Sequence, residues 1–184
     1  MNRLLMIVDP QIDFICGSLP VEGATLAMDA LADFIRKHDG DYIYKVVTSD
    51  WHPYRHCSFK EQGGQWPLHC VHHTIGAAVY PALIEPLNTT RGTLKILHKG
   101  IYEDREEYSI FKNLASAQHL KTVITTLGIG QIDLCGIAGD VCVLDTLKDG
   151  IELYGKEMFN VLTPFCPSLD GGKALSDFLK KNNL

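Results

Sequence analysis

The chain has 184 residues, a formal net charge of −5 and a hydrophobic share of 46%, enough for one domain that buries roughly 70% of its unfolded surface. That acidity excludes the basic footprint that nucleic acid or an anionic membrane surface requires, and no apolar run approaches the ~18 residues of a membrane span. Six cysteines without a Cys-x-x-Cys pair, behind a start with no signal-peptide cleavage pattern, read as reduced thiols in a cytoplasmic protein.

In chain order, Leu4–Val8 is a short apolar run that predicts a buried strand ending at Asp9. Leu26, Ala27, Ala30, Leu31, Phe34 and Ile35 recur at helical spacing, so Gly23–Lys37 is expected to be an amphipathic helix. Tyr42–Ser49 predicts a second strand, ending at Asp50. Trp51–Gly92 then breaks the alternation with several Pro and Gly residues and little periodicity, as a long loop-rich insertion of functional type. Thr93–His98 predicts a strand that ends at Lys99. Gln118–Leu127 predicts a helix stopped by Gly128. Ile132–Ile137 predicts a buried strand that runs into the Gly-rich turn Gly136–Cys142. Asp140–Leu153 should form a helix with Asp140 as its N-cap, Glu157–Leu162 a fifth strand, and Gly172–Lys180 a closing helix. Strand–helix alternation of this kind implies an α/β fold, a three-layer α/β/α arrangement with a mainly parallel central sheet. The whole of 1–184 is expected to form one domain.

Strands of a parallel sheet end on one edge, where ligands bind. Asp9, Asp50, Lys99 and the turn at Cys142 are therefore expected to meet. Cys142 falls in the first turn of the expected helix, where free N–H groups favour a thiolate and can hold an oxyanion. Asp9 can take the thiol proton, and the Lys99 ammonium can hold both anions. Asp50 and His52, two residues apart on extended chain, point to the same side and suit Zn²⁺, Fe²⁺ or Mn²⁺. His69 can supply a third ligand, and spacing alone leaves His56, His72, His73, Glu61, Cys57 and Cys70 as rivals.

Taken together, Val8-Asp9-Pro10-Gln11-Ile12-Asp13-Phe14, Ser49-Asp50-Trp51-His52-Pro53, Ser58 through Val71, His98-Lys99-Gly100, Tyr108-Ser109-x-Phe111 and Gly136 through Val143 occur in family order. The chain resembles the nicotinamidase branch of the isochorismatase-like hydrolases over Leu4 to about Gly150. That resemblance implies a catalytic triad of Asp9, Lys99 and Cys142, and one divalent metal ion, Zn²⁺ first, on Asp50, His52 and His69. It also implies a cis Ile137–Ala138 peptide, an oxyanion hole from the Ala138 and Cys142 N–H groups, and Phe14 and Trp66 beside the ring of a small aromatic amide. Isochorismatase-type hydrolysis of another small molecule, and non-enzymatic metal or redox binding, are the competing readings; a homo-oligomer is left open. The chain departs from the pattern at Gly139, where the family often has Thr, at Val71-His72-His73-Thr74, and in the loosely matching Pro164–Leu169. These departures bear on substrate breadth, since no triad or ligand residue is lost.

Overall fold

A computed structural model describes every residue from Met1 to Leu184. Five parallel strands form one sheet in the order β3-β2-β1-β4-β5: β1 (Asn2–Val8), β2 (Tyr44–Asp50), β3 (Thr93–Lys99), β4 (Ile129–Gly136) and β5 (Phe159–Val161). The three central strands are buried along most of their length because helices cover both of their faces. Leu4 through Val8 are fully buried. At the margins the pattern changes: β3 alternates between buried and exposed positions, and β5 is only three residues long. The strand expected over Glu157–Leu162 shrinks because Gly155, at φ 83°, is followed by a 3₁₀ turn over Lys156–Met158. A short edge strand offers little backbone for unwanted pairing.

Six helices accompany the strands, five between them and one after β5: α1 (Ile12–Ile15), α2 (Ala24–Lys37), α3 (Pro81–Thr89), α4 (Leu114–Thr126), α5 (Leu144–Tyr154) and α6 (Lys173–Asn182). Parallel crossovers are right-handed. From β1 to β3 the chain steps outward one way, with α2 and α3 packed together. It then returns through α4 to β4 and steps the other way through α5, which places α4 and α5 on the opposite face. The direction reverses between β1 and β4, so a crevice opens at their carboxyl ends.

Three expectations need correction. The insertion is not loop throughout: α3 lies inside it, begun by Pro81 at the first helical position, where a missing N–H costs nothing. Pro86 within that helix hid the periodicity. Helix α4 starts four residues earlier than expected because the Asn113 side chain accepts the Ser116 N–H. The segment after β4 is a π-helical turn over Gly139–Val143 before α5 begins. Asp140 therefore caps no helix, and its carboxylate instead accepts the N–H groups of Leu169 and Asp170, at 3.0 Å each.

Candidate active site

Backbone register sets the first part of the site. Asp50 lies beside Lys99 across β2 and β3, and Val8 beside Gly136 across β1 and β4. The residues that end these strands converge. Gly136, at φ 125°, lets β1 and β4 close together, since a Cβ there would lie 2.7 Å from the Val8 carbonyl carbon. Two residues on, the Ile137–Ala138 peptide is cis. The Ala138 N–H donates to no group of the chain, and Ala138 lines the same pocket as Cys142.

The Lys99 ammonium is the hub. It is fully buried, 2.8 Å from Asp9 Oδ2, 2.6 Å from Asp50 Oδ1 and 3.6 Å from Cys142 Sγ. Burial opposes its charge, but Asp50 and Asp9 outweigh burial and hold the pKa of Lys99 well above the usual lysine value. Thr48 Oγ1 donates to Asp9 Oδ1 at 2.7 Å. Asp9 itself adopts φ 46°, a left-handed conformation that costs a non-glycine residue about 1–3 kcal/mol. Burial raises the Asp9 pKa to about 6, opposed by Lys99 and reinforced by Asp50.

The thiol does not behave as expected. Burial pushes the Cys142 pKa well up, Lys99 opposes this, and Asp9 and Asp50 add to it. Burial thus favours the protonated thiol, against the pull toward thiolate that a helix start exerts. The sulfur and an Asp9 carboxylate oxygen lie within 4.8 Å of one another, a separation that a small closing movement or one bridging water reduces to proton-transfer range.

The second part of the site comes from the insertion. Ligand atoms of Asp50, His52 and His69 lie within 4.8 Å of one another, all three residues buried. His52 Nδ1 faces the Gly100 carbonyl oxygen at 3.0 Å, and His69 Nδ1 faces the Pro67 carbonyl oxygen at 2.7 Å. Each bond directs the remaining Nε2 inward, which is how metal-binding imidazoles are usually oriented. Gly100 permits the close approach of His52, because a Cβ there would lie 2.6 Å from its Nδ1. Burial raises the Asp50 pKa, but Lys99 and His52 outweigh it and hold the carboxylate ionised. Burial lowers the His69 pKa. His52 is also desolvated, yet Asp50 moves its pKa upward; a position that attracts a proton beside a carboxylate also attracts a cation. One carboxylate and two oriented imidazoles fit a divalent metal ion such as Zn²⁺. A second group, Asp9, Asp50 and Cys142, is equally compact, but the Lys99 ammonium already fills it.

Phe14 and Trp66 line the pocket with Leu19, Tyr108, Val141 and Leu169, above Asp50, His69 and Cys142. The lining is mostly apolar, as a flat aromatic ring requires, with a few polar groups at one end to fix its orientation. The Phe14 and His69 rings are 5.4 Å apart. The rival ligands fall elsewhere. Both nitrogens of His56 are used, by Ser58 Oγ at 2.8 Å and the Arg105 carbonyl oxygen at 2.9 Å, and burial lowers its pKa to about 4. His72 and His73 lie against Trp51, while Glu61, Cys57 and Cys70 are outside the donor group.

Two supporting residues carried no signal as chemistry in the sequence. Gln11 is fully buried. Its amide accepts the Asp50 N–H at 2.8 Å and donates to the Asp50 and Ala77 carbonyls at 2.8 and 2.9 Å, tying β2 to the insertion. The Tyr108 hydroxyl accepts Trp66 Nε1–H at 3.0 Å, which orients that indole against the pocket.

Residues 3–159 match the Isochorismatase domain family. A nicotinamidase/pyrazinamidase of Mycobacterium tuberculosis is 34% identical over 82% of this chain and 79% of its own. A pyrazinamidase of Pyrococcus horikoshii, solved in complex with zinc, is 29% identical, with a TM-score of 0.81 over 99% of this chain and 97% of its own. The yeast nicotinamidase bound to nicotinaldehyde superposes with a TM-score of 0.84 at 26% identity, over 99% and 97% of the two chains. The chain belongs to the isochorismatase family, in its nicotinamidase/pyrazinamidase branch.

Proposed function

We propose that this protein hydrolyses nicotinamide to nicotinate and ammonia, as a cysteine amidohydrolase with a bound divalent metal ion, its domain running through residues 1–184. The observation that carries the reading is the Lys99 ammonium, held between Asp9, Asp50 and Cys142 at the floor of the apolar pocket. Asp50 joins the two halves of the site, with Oδ1 on Lys99 and Oδ2 3.5 Å from His52 Nε2. When bound by Asp50, His52 and His69, the metal ion, assigned as Zn²⁺, supplies a Lewis-acidic anchor that orients the substrate.

Phe14 and Trp66 hold the ring, and the carboxamide carbon faces Cys142. Asp9 takes the thiol proton as the sulfur–carbon bond forms, and the carbonyl oxygen becomes an oxyanion that the Ala138 and Cys142 N–H groups stabilise. Asp9 returns that proton to the departing nitrogen, the carbon–nitrogen bond breaks, and ammonia leaves a thioester. Water then adds to the thioester as Asp9 removes its proton. Carbon–sulfur cleavage returns a proton to Cys142 and releases nicotinate. Lys99 keeps the charge on Asp9 tolerable in a buried site throughout. A base of pKa about 6 suits this exchange, because it both accepts and returns a proton near neutral pH.

The test is ammonia release from nicotinamide by the purified protein, before chelation, after it, and after metal is restored. Turnover lost with the metal and recovered with Zn²⁺ is the expected result. Absence of turnover with Zn²⁺, Fe²⁺ or Mn²⁺ would overturn nicotinamide as the substrate, and chelator-insensitive turnover would overturn the metal's role.

A further inference from the structure

One wall of the pocket comes from a segment that lies beyond the stretch matching the family. Leu169 lines the pocket while remaining 46% exposed, so it forms part of the pocket's outer rim. The strap that carries it, Cys166–Asp170, is fastened to the turn that holds Ala138 and Cys142. Gly139 N–H donates to the Pro167 carbonyl oxygen at 2.8 Å, and the Asp140 carboxylate accepts the Leu169 and Asp170 N–H groups. On the far side, the Asp170 carboxylate accepts the Gly172 and Ala174 N–H groups at the start of α6. The strap is thus pinned at both ends.

Its distance from the turn is set by a missing side chain. A Cβ on Gly139 would lie 2.6 Å from the Cys166 carbonyl oxygen and closer still to Ser168 Oγ. Backbone cannot swing aside as the end of a flexible side chain can, so any larger residue at 139 must push the strap outward. Glycine at this position lets Leu169 sit close over the pocket.

We infer that Leu169, held in place by Gly139 and Asp140, is a specificity-determining residue that restricts the substrate to an unsubstituted single-ring carboxamide. The inference rests on the amidohydrolase reading above. The ring of such an amide fits between Phe14, Trp66 and Leu169; a fused second ring meets the strap. Truncation at Leu169 widens the pocket at that rim and leaves the reacting groups in place, whereas a change at 139 or 140 displaces the strap and also touches the turn that carries Ala138 and Cys142.

The experiment compares kcat/KM for nicotinamide and for its fused-ring analogue quinoline-3-carboxamide. It uses the metal-loaded wild type and the variants Leu169→Ala, Asp140→Ala and Gly139→Ala. Leu169→Ala should raise the bicyclic-to-monocyclic ratio on the order of tenfold or more. Asp140→Ala and Gly139→Ala should move it the same way by less. The ratio is the informative quantity, because a general loss of folding or catalysis lowers both numbers together. Wild-type turnover of nicotinamide with unchanged ratios in all the variants would overturn the assignment of Leu169 alone. A wild type that hydrolyses neither amide would overturn the functional reading and this inference with it.

Discussion

The sheet edge and the insertion supply the same site by different physical means. Asp9, Asp50 and Lys99 stand where they do because β1, β2 and β3 are hydrogen-bonded in register, and each follows or ends an apolar strand. His52, Trp66 and His69 lie outside the sheet: His52 and Trp66 are held by isolated bridges to Val71 and Phe59, and the side chains are aimed by single bonds, Nδ1 contacts to the Gly100 and Pro67 carbonyls and the Tyr108 hydroxyl on the indole. Register is a collective property that one substitution seldom moves. A loop geometry built from single bonds can be lost one contact at a time. The groups proposed to react are mainly on the sturdier half, and most of those proposed to hold metal and ring are on the more adjustable half.

The comparison is sharpest where the chemistry itself is removed. Cys142→Ala should lower kcat/KM on the order of 10⁴-fold or more with little change in denaturant midpoint; near-normal turnover would remove the thiol from the mechanism. Lys99→Met leaves Asp9 and Asp50 as buried carboxylates without their shared cation, which should cost about 3–5 kcal/mol of stability as well as activity. Urea unfolding would show this, and an unchanged midpoint would mean the ion cluster does not hold the edge together.

Between the two regions stands Gln11. Gln11→Ala removes all its bonds to Asp50 and Ala77 and should weaken Zn²⁺ binding on the order of 10–100-fold, read by competition with a chromophoric chelator. Unaltered affinity would show that the insertion positions His52 and His69 without this link.

The acid limb follows from Asp9. Its carboxylate form is the base, and its pKa lies near 6, so kcat/KM should fall about tenfold per pH unit as the solution is acidified below that value. A profile flat to pH 4 would exclude Asp9 as the base. For stability the sign is opposite. A carboxyl raised from 3.8 to about 6 in the fold stabilises the native state most below its unfolded value. That contribution is lost as pH rises through about 6.

The smallest effect is expected in the insertion. Asp13 accepts the Cys70 N–H at 2.7 Å and the Ser18 N–H at 3.1 Å; Asp13→Asn should cost about 1 kcal/mol, seen as a modest fall in Tm. A loss as large as that of Lys99→Met would show that the insertion is as collectively held as the sheet.

The two regions also differed in how much their sequence disclosed. Short runs rich in Ile, Val and Leu that end in Asp9, Asp50 and Lys99 announce parallel strands and a shared edge, most plainly in β1, where Leu4 through Val8 are apolar without a break. In the insertion, Pro86 concealed α3, and no periodicity marks the turns that set His69 against Phe14. The expected ligand set there came from the family resemblance, and the close grouping of Asp50, His52 and His69 is seen only in the fold. The burial of the thiol was hidden for a related reason. Helix-start logic needs only local sequence, whereas the upward shift at Cys142 comes from burial and from carboxylates more than ninety residues away. The Gln11 amide left no trace as chemistry, since a glutamine after a strand resembles any surface residue until its partners are seen.

The burial of Cys142 has a consequence for the lifetime of the protein. Peroxide and alkylating agents attack thiolates, and susceptibility follows thiolate character and exposure together. The proposed nucleophile is buried in an environment that favours its protonated form, so it should outlast an exposed thiol under oxidant. Cys16, exposed beside α1, is where such damage would fall first, on a thiol the chemistry does not use.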